Sequence, residues 1–186
     1  MIAGLACGIA LVILFGVADL PYCVSSKGEV MNLSDNAGDT LLPELAISST
    51  NVHAVWDDDT NETQEFRILS KSSPDCGATF LDTTMVGADI QGRATEPDIS
   101  SSGRNVYVAW QQWDENDDMD IFFARSDDGG VSFHSSLKIY GNPVTRGSSP
   151  QLTSEGSDVS SIIDLCPSML APCRGRFSTA FRLSRQ

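Results

Sequence analysis

The sequence predicts an all-β fold of repeated four-stranded units, the blades of a β-propeller, incomplete in this chain at about two to three blades. Three observations predict it. The octapeptides Ser73-Pro74-Asp75-Cys76-Gly77-Ala78-Thr79-Phe80 and Ser126-Asp127-Asp128-Gly129-Gly130-Val131-Ser132-Phe133 share the pattern Ser-x-Asp-x-Gly-x-Thr/Ser-Phe and lie 53 residues apart. Landmarks upstream recur with them. Pro43-Glu44-Leu45 matches Pro97-Asp98-Ile99, Asn51-Val52-His53-Ala54-Val55-Trp56 matches Asn105-Val106-Tyr107-Val108-Ala109-Trp110, and Pro to Trp is 13 residues in both copies. A third copy opens at Pro150-Gln151-Leu152-Thr153. Finally, each copy reads as four short apolar runs, and after position 20 no segment sustains the 3.6-residue period of a helix. Self-similarity at a period of about 50 residues, with four strands per period, is the signature of propeller blades.

The elements follow in order. Ile2 to Val17 is an apolar run of 16 residues, ending near the small-residue site Gly16-Val17-Ala18, with no Lys or Arg before it. Its length suits a signal-peptide core and falls short of the ~20 residues that span a bilayer. Residues 1–20 are therefore expected to form a hydrophobic helix that is a signal peptide or an uncleaved membrane anchor. It would meet the export machinery or the membrane and leave the repeats outside the cytoplasm. Gly28 to Ser34 reads as the outer strand of a preceding blade. The repeat region covers about residues 28–164, with units near 35–88, 89–141 and, in part, 142–164. In the first unit the strands are Leu45–Ser48, Val52–Trp56, Phe66–Leu69 and Thr83–Val86. In the second they are centred on Ile99, Val106–Trp110, Ile121–Ala124 and Leu137–Tyr140. Val52–Trp56 and Val106–Trp110 are apolar on both faces, as in strands covered on two sides. In the third unit Ile162 and Ile163 fit the second strand, with Ile163 where Trp is expected. Beyond Asp164 the pattern stops. Residues 165–186 hold no Asp or Glu but include Arg174, Arg176, Arg182 and Arg185, and Ser178-Thr179-Ala180-Phe181 lacks the Asp and Gly of the octapeptide. They are expected to be a divergent or disordered tail, or the product of a shifted reading frame. Closure takes 4–8 blades, so the chain is read as a fragment or as part of an assembly that other chains complete.

Each octapeptide is a folded corner. Its Gly permits a positive φ, its Asp accepts hydrogen bonds from turn amides, and its aromatic tucks beneath the hairpin. Ser73, Asp75, Gly77, Thr79 and Phe80, and Ser126, Asp128, Gly130, Ser132 and Phe133, are thus structural residues. This pattern resembles the Asp-box of sialidases and of the wider BNR-repeat propeller proteins, with Phe where many members have Trp. The resemblance implies a sialidase-like propeller. It leaves activity open, because such propellers serve glycosidases, receptors and lectin-like modules.

Net charge is −13, which disfavours nucleic-acid and anionic-membrane partners. Glycans or cell-surface proteins are the expected partners. If Cys7 leaves with a signal peptide, Cys23, Cys76, Cys166 and Cys173 remain, with three possible pairings. Asn32-Leu33-Ser34 and Asn61-Glu62-Thr63 are glycosylation sequons.

In a propeller the ligand-binding loops lie opposite the octapeptide corners. Two acidic stretches are placed there, Asp57–Glu62 and Asp114–Asp120. No cofactor is required by the sequence, but Asp114, Asn116, Asp118 and Asp120 alternate as Ca²⁺ ligands would. Met119 in place of the needed Gly, and Arg125 at the twelfth position, rule out an EF-hand; a looser Ca²⁺ site or a solvated hairpin tip remains. Arg93 and Arg146 each stand four residues before a repeat Pro, at equivalent places, with Asp39 breaking the series in the first unit. The resemblance makes them candidates for the arginine cluster that binds the substrate carboxylate of sialidases, a role that suits the planar guanidinium. Phe66-Arg67-Ile68-Leu69 lacks the Pro of the sialidase Phe-Arg-Ile-Pro motif and precedes a corner, so it is treated as coincidence. Sialidases also need a Tyr nucleophile assisted by Glu, and an acid/base Asp. Tyr22 lies in the targeting segment, Tyr107 in a buried strand, and Tyr140 has no identifiable Glu partner. His53 is a packing residue. The sequence thus favours an exported, non-catalytic glycan- or protein-binding module or a fragment of one, with an exo-α-sialidase lacking its remaining blades as the alternative.

Overall fold

The structure, a computed structural model, describes residues 30–35, 38–59, 65–114, 118–141, 146–166 and 181–182. Among these the regular elements are all strands, and no helix is long and apolar enough to cross a membrane. The helix expected at residues 1–20 lies outside the described residues, as does most of the 165–186 tail. Strands β1 (Asp39–Ser48), β2 (Asn51–Asp59), β3 (Arg67–Ser73) and β4 (Thr84–Val86) form one antiparallel sheet in that order. A second sheet repeats it with β5 (Ala94–Ser102), β6 (Asn105–Trp113), β7 (Met119–Ser126) and β8 (Leu137–Tyr140). A third holds β9 (Arg146–Glu155), β10 (Asp158–Cys166) and β11 (Phe181–Arg182), in the order β11-β10-β9. The first strands of successive sheets are neighbours, β1 against β5 and β5 against β9. Together they make the inner edge of a fan of blades.

Alternation builds the core between the blades. Val106, Val108 and Trp110 leave one face of β6 and pack with Ala46, Val55, Ile68 and Val86 of the first blade. Tyr107 leaves the other face and packs with Phe123 and Val159 toward the third. The Trp110 and Phe122 rings stack at 6.1 Å, as do those of Tyr107 and Phe123, each pair adding about 0.5–1.5 kcal/mol beyond its buried area. Ile163, in the place of the repeat Trp, is fully buried.

Side chains also tie blade to blade. Ser48 Oγ accepts the Gly103 N–H at 2.7 Å while Asn51 Nδ2 donates to the Gly103 carbonyl. One blade on, Ser102 Oγ accepts the Gly156 N–H at 2.8 Å and Asn105 Nδ2 donates to the Gly156 carbonyl. Each hairpin turn is thus gripped at both its donor and its acceptor by the blade before it. At the outer edge the Asp89 carboxylate accepts the Ser136 N–H and hydroxyl, at 3.0 and 2.7 Å.

The two corners superpose bond for bond. Ser73 Oγ donates to Asp75 Oδ1 at 2.7 Å and accepts the Gly77 N–H at 2.8 Å, and the Asp75 carboxylate accepts the Thr79 N–H and hydroxyl at 2.8 and 2.6 Å. Ser126, Asp128, Gly130 and Ser132 repeat these at 2.7, 2.9, 3.0 and 2.6 Å. Gly77 and Gly130 take φ of +82° and +83°. Phe133 packs against the first core cluster, while Phe80 lies beside Gly77. The donated bonds, the Thr79 hydroxyl first, hold the Asp75 carboxyl down at about 2. Burial opposes ionisation of Asp128, yet bonds from Ser132, Ser126 and Val131 hold it at about 2 as well.

Three expectations need correction. Residues 30–35 form no strand; Asn32 Oδ1 accepts bonds from Ser34 Oγ and the Asp35 N–H, and Asp35 takes φ +48°, which closes a local turn instead. Strand β1 begins at Asp39 rather than Leu45, because a bulge between Leu41 and Glu44 lets pairing resume on the far side of Pro43. Asp57, Asp58 and Asp59 are not loop residues. They continue β2 and are buried, Asp58 Oδ2 accepting bonds from Trp56 Nε1 and Thr40 Oγ1, both at 3.0 Å.

Candidate functional site: the axial cleft

The bulge of β1 recurs in every blade. Register breaks between Thr95 and Asp98 in β5, and where β9 opposes Ile162 and Asp164. In each case the break holds the repeat Pro and the residue before it. Those preceding residues, Leu42, Glu96 and Ser149, take φ of +47°, +51° and +46°. A non-glycine residue in this left-handed region costs about 1–2 kcal/mol. Proline supplies no ladder N–H, so the extra residue is absorbed where a ladder bond would be missing anyway.

The bulges turn side chains toward a shared cleft of about 320 Å³. Leu42 and Glu44 line it from the first blade, Glu96, Pro97 and Asp98 from the second, and Ser149, Pro150 and Gln151 from the third. Glu96 is held by two donors. Gln111 Nε2 bonds to its carboxylate, and Ser149 Oγ reaches Oε2 at 3.2 Å across the blade boundary. Asp98 Oδ2 accepts the Leu152 N–H of the third blade.

Behind this wall stands Asp57. It is 1% exposed, and Oδ1 has no hydrogen-bond partner. Burial pushes its carboxyl up from the usual value of 3.8; the Glu96 N–H and the positive charge of Arg93 pull the other way, while the Glu96 charge adds to the rise. Asp98 is also pushed up, first by burial and then by the charge of Glu44, against the bond from Leu152. The cleft wall therefore carries three carboxyls, Glu44, Glu96 and Asp98, while Asp57 stays buried outside its lining.

Of the predicted site residues, Arg93, Asp114, Asp118 and Asp120 do not line this cleft. Arg93 precedes β5 at the expected end of the blade, but its guanidinium lies over the Phe66 ring, 5.3 Å from the centroid. Arg146 opens β9, with its backbone paired to Cys166. Asp114 and Asp118 close the β6–β7 hairpin, the Asp114 carboxylate accepting the Asp118 N–H at 3.0 Å; Asn116 lies outside the described residues. Asp120 is a buried residue of β7 ion-paired with Lys138. Among the described residues no three His, Cys, Asp or Glu side chains come together to hold a metal. Arg67 bonds to the carbonyls of Gly92 and Phe66. His53 is a core residue whose Nδ1 pairs with Ser72 Oγ at 2.8 Å. The Tyr107 hydroxyl donates to the Gly156 carbonyl at 3.1 Å. Glu44, Glu96 and Asp98 were not foreseen as site residues, and Asp57 was foreseen only within the acidic stretch Asp57–Glu62 of the ligand-binding face. Their signal is positional: Leu42, Glu96 and Ser149 directly precede the repeat Pro, and Glu44, Asp98 and Gln151 directly follow it.

Antiparallel four-stranded blades whose first strands meet at an axial cleft define a sialidase-like β-propeller fold. Of the solved structures, a Hadza microbial sialidase matches with 17% identity and a TM-score of 0.52, over 69% of this chain and 32% of that one. Weaker matches include a mutant Trypanosoma rangeli sialidase displaying trans-sialidase activity, at 10% identity and TM-score 0.45 over 68% of this chain and 34% of that one. An α-L-arabinofuranosidase from Lactobacillus brevis matches at 9% and 0.48, over 85% and 55%. The chain thus spans about a third of the length of either sialidase. No protein-family model and no curated protein matches it.

Proposed function

We propose that this chain is an exported, non-catalytic glycan- or protein-binding module of the Asp-box, BNR-repeat type, and that it binds through the axial cleft. The observation that carries the reading is the wall itself. Three successive blades repeat the same costly bulge, and each turns polar groups into one recess. Backbone strain persists where surrounding structure over-determines it, and such residues cluster at binding sites. A recess of this size, with a few fixed polar groups, suits one or two sugar rings. Export is supported by the disulfide at Cys76, since such bonds belong to oxidising compartments. The test is a glycan array probed with the full chain, followed by calorimetry on the hits. Micromolar to millimolar binding that weakens in Glu96→Gln is expected; binding that this substitution leaves untouched would move the site away from the cleft.

A second reading, an exo-α-sialidase completed by further blades, draws on Asp57. Burial favours its protonated form, the property of a general acid. In that reading Arg93 and Arg146 bind the sialoside carboxylate. Turnover of a fluorogenic sialoside, lost in Asp57→Asn and in Arg93→Ala, would favour it.

A further inference from the structure

We propose that the two ends of the fan dock on each other, so that two copies of this chain, with three blades each, close head to tail into one ring. The inference starts from apolar side chains at those ends. Ala46 packs in the core between the first two blades, so alternation along β1 turns Leu45 and Ile47 to the opposite face. The counterparts of Leu45 are Ile99 and Leu152, and both pack in the joint with the blade before. Ile99 is 6% exposed, whereas Leu45 is 64% exposed and Ile47 is as open. At the other end, Ile162 pairs with Gln151 on the outward face of the third blade. Its counterparts Val55 and Ala109, one residue before each repeat Trp, are fully buried, while Ile162 is 44% exposed. Each end of the fan thus bares an apolar side chain whose counterparts are packed inside the internal joints.

The occupant follows from the continuity of those joints. Inside the chain, Ile99 and Leu152 are covered by the far face of the blade before. The third blade carries the same face at its open end. There Gln151, Thr153 and Glu155 are exposed. They stand where Asp98, Ser100 and Ser102 bond to Leu152, Ser154 and Gly156. A row of side chains able to accept hydrogen bonds can therefore meet Leu45 and Ile47 of a second copy as the same row meets Leu152 and Ser154 within the chain. The turns match in shape as well: Ser49 takes φ +59°, against +63° and +61° for Gly103 and Gly156. Propellers close with about 4–8 blades, and only two copies of a three-bladed fan fall in that range. A head-to-tail contact made twice closes about a two-fold axis, where one that failed to close would grow into a filament. The second copy would also complete the wall of the axial cleft. None of this depends on what the cleft binds.

The experiment is analytical ultracentrifugation of the full chain from about 1 to about 100 µM, in about 0.15 M salt to screen the like net charges. Twice the chain mass is expected at the upper end, with no larger species. Ile47→Asp alters one end and Thr153→Arg the other. Both positions are exposed, so circular dichroism should stay unchanged, and each substitution alone should raise the dissociation constant about tenfold or more. An equal mixture of the two variants should restore the dimer. One contact in the mixed pair is then unaltered, and the other sets the introduced carboxylate against the introduced guanidinium. A chain that stays monomeric over the whole range would overturn the inference. A dimer lost in Ile47→Asp but untouched by Thr153→Arg would mean that two first blades meet face to face, which also defeats it. Mass that climbs with concentration past the dimer would show a contact that does not close, and a mixture no better than either variant alone would exclude head-to-tail pairing.

Discussion

Gly77 and Gly130 hold the same place in the two corners, with nearly the same φ, yet their surroundings differ. A Cβ on Gly77 would meet only the Phe80 ring, at 3.9 Å, whereas one on Gly130 would stand 2.2 Å from Ser72 Oγ and 3.4 Å from His53 Nδ1. Gly77→Ala should therefore cost about 1–2 kcal/mol, the backbone term alone. Gly130→Ala should cost about 3 kcal/mol or more, since it also forces apart the packed pair of blades; chemical denaturation of the two variants measures the difference. The same contact explains the pH response of His53. Burial lowers its pKa to about 4, from 6.5, so the folded protein keeps it neutral while the unfolded chain takes up a proton. Stability should then fall as pH drops from about 6.5 to about 4, by about 2–3 kcal/mol at most, and a His53→Gln variant should lose that slope. Asp75 and Asp128 add a second loss, from 3.8 down to about 2. Asp57 and Asp98, shifted upward, work in the opposite sense, favouring the fold as pH falls into the carboxylate range. The corner bonds were legible in the sequence because all their partners lie within four residues. The burial of Asp57 was not, because its wall comes from Glu96 in the next blade.

Among elements, the four strands of each of the first two units and their order could be read directly, since each run maps to one strand; the strand expected at Gly28–Ser34 is absent from residues 30–35, and β11 lies in the stretch read as a tail. Strand ends could not be read. Three consecutive aspartates ordinarily mark a solvated turn, and here they extend β2 because Trp56 and Thr40 supply donors to Asp58. The Thr40 donor comes from across the sheet, so no local pattern announces it. The equivalent pair in the second blade is Trp110 and Gln112, whose indole-to-amide bond is also 3.0 Å. The joints between elements carry a prediction. Ser102→Ala removes the acceptor of the Gly156 N–H and should destabilise the chain by about 0.5–1.5 kcal/mol. Hydrogen exchange should localise the effect to the β9–β10 hairpin, leaving the Gly103 amide protected by Ser48. Uniform loss of protection over all three blades would show instead that the blades unfold as one unit.

At the scale of the molecule, Arg93 directly precedes the inner strand β5, and its guanidinium lies over the ring of Phe66. The cleft itself becomes visible in the sequence only after the units are laid over one another, when the residues flanking each repeat Pro fall into register. A net charge of −13 on so few blades repels itself, so the melting temperature should rise as salt is added up to about 0.15 M and then level off; a fall would mean that ion pairs such as Asp120–Lys138 outweigh the general repulsion. The grip of Ser48 and Asn51 on Gly103, repeated by Ser102 and Asn105 on Gly156, also bears on descent. The second unit carries both a plug, Gly103, and a socket, Ser102 and Asn105, within its own stretch of about 54 residues. A gene segment copied in frame would arrive with its connectors already matched to its neighbour, and lineages could lengthen or shorten the array without inventing a new joint. In the third unit Glu155 and Asp158 occupy the socket positions, so restoring Ser and Asn there is the smallest change that would let a further copy be grafted on.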